Sequence, residues 1–247
     1  MFSILNNIPP VTRNLLLLNI LMFVLTFVFE TQHISLTHIL GAHYVNSPVF
    51  EPYQIVSHFF MHGDILHILF NMIGVVMLGS FLERLWGPKR FFVFYICCAL
   101  GAFALYNAMG VAELSDLRNQ LVSKGVNMAE LESLMKNGQY LEYPNPEIND
   151  IAQQYISKCF IPMVGASGAV FGILVAFAIL FPNTEFLLYF AIPVKAKYLA
   201  LGYVAYELYN AYYTSEGDYV AHLAHIGGAI VGTAFVLVWR RNRNQFY

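Results

Sequence analysis

Six stretches of this chain are apolar for long enough to cross a lipid bilayer, or nearly so, and nothing else in it constrains the fold as strongly. They cover residues 12–29, 65–82, 91–111, 166–181, 198–213 and 220–239. A backbone in hydrocarbon must satisfy its own hydrogen bonds, so such runs become helices. Hydrophobic residues make up 58% of the 247 and charged residues only 11%, whereas a soluble domain carries about a quarter charged. The chain therefore reads as an all-α polytopic membrane protein, a single membrane domain over 1–247 that lies in a lipid bilayer. A net charge of −2 offers no basic surface for nucleic acid. Cys97 and Cys98 are adjacent and Cys159 stands alone, which is neither a disulfide framework nor a zinc spacing. The first run is followed by Glu30 and lacks a small-residue cleavage signal, so it is a retained span rather than a signal peptide.

The basic residues orient the spans. Arg13, then Arg84, Lys89 and Arg90, then Lys195 and Lys197, then Arg240, Arg241 and Arg243 fall on one side, which makes both termini cytoplasmic. Starting the fifth span after Lys195 and Lys197 keeps two charges out of the bilayer and leaves "FLLYFAIP" at the interface. The stretch 113–160 is the one soluble-looking segment. Its leucines recur at helical spacing and "YPNPE" interrupts it, which predicts an outward-facing insert of two or three short surface helices.

All eight histidines fall in the outer half of this topology. In "HFFMHGDILHILFNM", Asp64 is placed to cap a helix that carries His67 and Asn71 four apart, on one face. His58 and His62 belong to the preceding loop and read as loop structure. Ser167 opens the fourth span, followed by Gly168, Gly172 and Ala176 at intervals of four. His225, Gly228 and Gly232 share a sector of the sixth. If the two small-residue stripes meet, Ser167 and His225 face each other at similar depth. Spacing alone leaves catalysis and plain helix packing both open.

Together these residues resemble the rhomboid family of intramembrane serine proteases, over most of the chain. The carriers are "HGDILHILFNM", "GASGAVFG" and "AHIGGAIVG", with "GSFLERLWG" at the end of the second span. Each motif is weak alone; their order and common depth make the signal specific. The resemblance implies a six-transmembrane-helix rhomboid-like bundle, with Ser167 and His225 as a catalytic dyad that has no acidic third member. No carboxylate stands out in the sequence to orient His225. The resemblance also assigns the oxyanion to His67, Asn71 and the backbone N–H of Ser167. Gly165 and Ala166 let a substrate backbone come close. Phe171, one turn after Ser167, can stack on the imidazole, where family members often carry tyrosine. Implied partners are membrane-anchored protein substrates, cut near the outer end of a transmembrane helix. No cofactor and no metal are expected, and a bacterial inner membrane is the expected location. Two rivals stand: a catalytically inactive relative that only binds transmembrane helices, and a histidine-rich metal or haem membrane protein.

Overall fold

In the computed structural model, residues 7–139, 141–188, 192–213 and 221–241 are described. Helix α1 spans Pro10–Glu30, followed by the short α2 (Leu36–Leu40) and α3 (Gln54–Ser57). A 3-10 turn, His58–Phe60, leads to α4 (Ile65–Gly74), a π-helical turn at Val75–Gly79, and α5 (Ser80–Trp86). Then come α6 (Pro88–Ser123), α7 (Met128–Lys136), α8 (Pro146–Phe160) and α9 (Ser167–Leu180). Strands β1 (Glu185–Leu188) and β2 (Ile192–Lys195) precede α10 (Ala196–Tyr212) and α11 (His222–Arg241).

Among the described residues, four helical stretches are long and apolar enough to cross a membrane: Pro10–Glu30, Ile65–Trp86, Pro88–Ser123 and His222–Arg240. The fourth apolar run gives the shorter α9, and the fifth gives α10. Local chemistry sets several of the ends. Proline sits in the first turn of α1, α6 and α8, where its missing N–H has no helical partner to lose. Asp64 caps α4 by accepting from the backbone N–H groups of Leu66 and His67 at 2.8 and 2.9 Å. At the other end of this span Glu83, which is buried, accepts from Val11 N, Thr12 N and Thr12 Oγ1 at 2.9, 2.7 and 2.8 Å. A carboxylate of α5 thus satisfies orphan donors of α1 and sits where its dipole favours negative charge.

The structure departs from the sequence reading in three places. The third helix does not stop near residue 111 but runs on to Ser123. Hydropathy ends where Glu113, Asp116 and Arg118 begin, yet helicity continues because Leu114, Leu117 and Leu121 keep an apolar face. The segment 113–160 is accordingly more than a set of surface helices: those leucines pack with Leu131 and Met135 of α7 and with Ala152 and Tyr155 of α8 around a core of their own. The described residues on either side of 189–191 form two antiparallel strands, with Glu185 opposite Lys195 and Phe186 opposite Val194, so the chain is not purely helical. Residues 189–191, and Val220 at the predicted start of the sixth run, lie outside the described residues, as do 1–6 and 242–247.

At the centre, α6, α9 and α11 pack directly against one another. A Cβ on Gly228 would stand 1.8 Å from the carbonyl oxygen of Gly168, and one on Gly232 would stand 2.7 Å from the Cα of Gly172. On the side toward α6, a Cβ on Gly168 would lie 2.3 Å from the Cβ of Ala102. The two small-residue stripes therefore do meet, backbone against backbone. Without a hydrophobic force between helices in lipid, such close packing is what holds them together.

This seam predicts a contrast between two substitutions. Gly228→Ala forces two backbones apart and should lower the melting temperature in detergent, by the equivalent of about 1–3 kcal/mol or more. A Cβ on Gly202 meets nothing within 4 Å, so Gly202→Ala should leave melting unchanged or slightly raised. Equal losses in both would contradict the packing described.

Candidate functional site

Ser167 is the first residue of α9, and Ala166 is its N-cap. The segment before it is shaped by Gly165, whose φ of 117° favours glycine and whose N–H donates to His58 O at 3.0 Å. A Cβ on Gly165 would lie 2.7 Å from His67 Nε2, so any side chain there would collide with the imidazole. His225, in the first turn of α11, places Nε2 2.8 Å from Ser167 Oγ. The glycine seam explains that approach, because Ser167 adjoins Gly168 and His225 lies one turn before Gly228. Phe171 stacks flat on the His225 ring, with centroids 4.3 Å apart and an interplanar angle of 7°.

His67 and Asn71 face the same space from α4. Asn71 is buried and spends one amide hydrogen on His67 O at 3.0 Å. His67 Nδ1 lies 3.4 Å from the Gly63 N–H and accepts from it, which leaves the ring proton on Nε2, the nitrogen beside Gly165. These residues line a cavity of about 910 Å³ between α4, α9, α10 and α11, closed on one side by 161–165. Its walls are mostly apolar, and its polar groups gather near Ser167, the usual make-up of a small binding site.

One residue of this cluster was missed in the sequence. Glu207 of α10 is buried, and its Oε2 lies 2.6 Å from His222 Nδ1 and 2.9 Å from His225 Nδ1. The expectation that His225 has no carboxylate beside it is therefore corrected. The available signal was a glutamate deep in an apolar run, an expensive placement that marks a functional or tightly paired group. The His222 contact is a well-formed hydrogen bond. The His225 contact is close but off the line of the ring N–H, so Nδ1 has no hydrogen bond of good geometry there. Glu207, His222 and His225 are also the one group of three metal-type donors gathered among the described residues. Both Nδ1 atoms lie close to a single carboxylate oxygen, at 2.6 and 2.9 Å, so a cation bound there would displace those contacts.

Around this core, His58 and His62 act as loop structure. His58 is buried, with Nδ1 2.7 Å from Gln54 O. His62 is buried against the His67 ring at 5.0 Å, and neither of its ring nitrogens has a hydrogen-bond partner among the described residues. Burial pushes both imidazoles down to about 4; the neighbouring His67 adds to the effect on His62.

Comparison with known proteins follows the same residues. A family profile described as a rhomboid domain matches residues 49–126 and 133–242. An uncharacterised mitochondrial rhomboid protein of Schizosaccharomyces pombe is 27% identical over 210 residues, covering 76% of this chain and 52% of its own length. RHOMBOID-like protein 12, mitochondrial, of Arabidopsis thaliana is 26% identical over 77% of this chain and 46% of its own length. Rhomboid protease GlpG of Klebsiella pneumoniae is 33% identical over 95 residues, 38% of this chain and 34% of its own length. The chain thus spans about half the length of the mitochondrial relatives. With two of these named for mitochondria and one bacterial, the comparisons support an integral membrane protein and do not support the expectation of a bacterial inner membrane.

The buried loop histidines predict an acid-sensitive fold. In the unfolded chain each titrates near 6.5, and in the folded protein near 4. Between those values the unfolded chain binds protons that the folded one does not, so stability is present above about 6.5 and is lost as pH falls toward 4. Within that window each imidazole contributes a slope of about 1.4 kcal/mol per pH unit. Melting in detergent should fall between pH 7 and pH 5, and His58→Gln should flatten part of the slope. A pH-independent melting temperature would contradict the assignment.

Proposed function

Because the chain belongs to the rhomboid family, we propose that it is an intramembrane serine endopeptidase that cleaves transmembrane segments of membrane-anchored proteins. The observation that carries this reading is the 2.8 Å approach of His225 Nε2 to Ser167 Oγ at the edge of the cavity. Serine is a weak nucleophile until a base takes its proton, and His225 is placed to take it. Ser167 Oγ attacks the substrate carbonyl while His225 accepts the proton. The imidazolium then protonates the leaving amine, and water completes hydrolysis of the acyl-enzyme.

The tetrahedral oxyanion needs donors. The N–H of Ser167, in the first turn of α9, has no partner within the helix. His67 Nε2 and the second amide hydrogen of Asn71 supply the others. Gly165 and Ala166 admit the substrate backbone, and Phe171 holds the imidazole by its face.

The proposed site also has a depth. Helix α9 has 14 residues, about 21 Å of rise, against a hydrocarbon core of about 30 Å. With its C-terminal end at the cytoplasmic surface, Ser167 lies below the outer surface yet within reach of water through the cavity. Helices α9 and α10 complete six spans in this reading, with both termini cytoplasmic and the 113–160 insert outside. The whole chain acts as one membrane domain. A helical substrate hides its peptide bonds, so the segment to be cut must unwind to reach Ser167.

Cleavage of a reporter transmembrane substrate by variants in one detergent tests the reading. Ser167→Ala should stay folded and lose cleavage. Asn71→Ala removes one oxyanion donor, worth about 10²–10³ in kcat in a soluble protease; with other donors present the loss should be smaller and fall on turnover rather than binding. Near-normal cleavage by Ser167→Ala would overturn the proposal.

A further inference from the structure

We infer that Glu207 is a positioning residue for His225, so that the proposed site works as a serine–histidine–glutamate triad rather than a dyad. This rests on the protease reading above. The first argument is cost. A carboxylate buried in an apolar span is destabilising unless paired, and Glu207 has both His222 and His225 beside it. The second is placement. Glu207 Oε2 lies 2.9 Å from His225 Nδ1, and the other ring nitrogen faces Ser167 Oγ at 2.8 Å. To accept the serine proton, Nε2 must be unprotonated, so the neutral ring must carry its hydrogen on Nδ1. A carboxylate oxygen beside Nδ1 selects that tautomer.

The third argument is restraint. The His225 ring is held at one nitrogen by Ser167, beside the other by Glu207, and on its face by Phe171. Glu207 is held in turn by His222 Nδ1 at 2.6 Å, a charge-assisted length. The contact to His225 is off-line in the resting site, and catalytic hydrogen bonds often tighten only when substrate is bound.

In the step this serves, the Ser167 Oγ–H bond breaks, its proton moves to His225 Nε2, and Oγ bonds to the substrate carbonyl carbon. The imidazolium so formed is balanced by the Glu207 carboxylate, which stays ionised. The proton then passes from Nε2 to the leaving amine as the C–N bond breaks.

The titratable groups that face His225 are Ser167 of α9, His67 of α4, Glu207 of α10 and His222 on its own helix. Tyr203 and Tyr206 of α10 stand behind them, against Phe171 and His222. Among the described residues in that set, Glu207 brings the anionic charge.

The test compares wild type, Glu207→Gln, Glu207→Asp and Ser167→Ala on one reporter substrate across pH, with melting measured for each. Glu207→Gln keeps the shape and removes the charge. Its kcat should fall about 10²-fold or more, against about 10⁴-fold for the same change in a soluble triad, with KM kept within about threefold. The acidic limb of kcat/KM should also move to lower pH, because an imidazolium without its anion is harder to form. Glu207→Asp keeps the charge, so its limb should stay near the wild-type position even if turnover drops. If Glu207→Gln melts early but keeps the wild-type limb and turnover, Glu207 is only a tie between α10 and α11 and the inference is overturned. If Glu207→Gln does not fold, the Glu207→Asp limb decides, and a limb displaced to lower pH overturns the inference. If wild type and Ser167→Ala are indistinguishable, the protease reading itself has failed.

Discussion

The contact between α9 and α11 is the constraint on which the rest depends. Two helices can bring their backbones this close only where neither carries a side chain, and Gly168, Gly172, Gly228 and Gly232 provide that. In lipid the gain comes from dispersion across a tight seam, since burial away from tails gains nothing. The same seam fixes register. Ser167 adjoins one of its glycines and His225 lies one turn from another, so the packing that stabilises the bundle also brings Oγ and Nε2 to 2.8 Å. Stability and the proposed chemistry therefore share one structural cause.

Several of the buried polar groups sit near helix ends, where they serve helix termini or one another. Glu83 serves the first turn of α1 with three hydrogen bonds. Near the opposite ends of the spans, the first turns of α4, α9 and α11 bring His67, Ser167 and His225 to the cavity, with Glu207 of α10 and His222 paired beside His225. A span that begins inside the bilayer leaves free N–H groups and a favourable dipole where negative charge would form. In the proposed topology the short α9 makes such a place.

Much of this was legible in the sequence because its physics is local. Apolar runs marked the helices within a few residues. Asp64 announced a cap, and glycines four apart announced a close face. The misses share a different cause. The extension of α6 to Ser123 was hidden because hydropathy falls before helicity does, and the core of the insert joins leucines to α7 and α8 through tertiary contact. The strand pair Glu185–Leu188 and Ile192–Lys195 has no strong alternation to reveal it. Glu207 could be seen as a costly residue, but its partner could not, because the contact with His225 depends on how α10 packs against α11.

The central claim is that Ser167 is an activated nucleophile because His225 stands beside it. Labelling with a fluorophosphonate tests this without any substrate. Mass spectrometry should place a single adduct on Ser167 in the wild-type protein, with His225→Ala folded but labelled far more slowly. An adduct on another residue, or equal labelling rates in wild type and His225→Ala, would contradict the account.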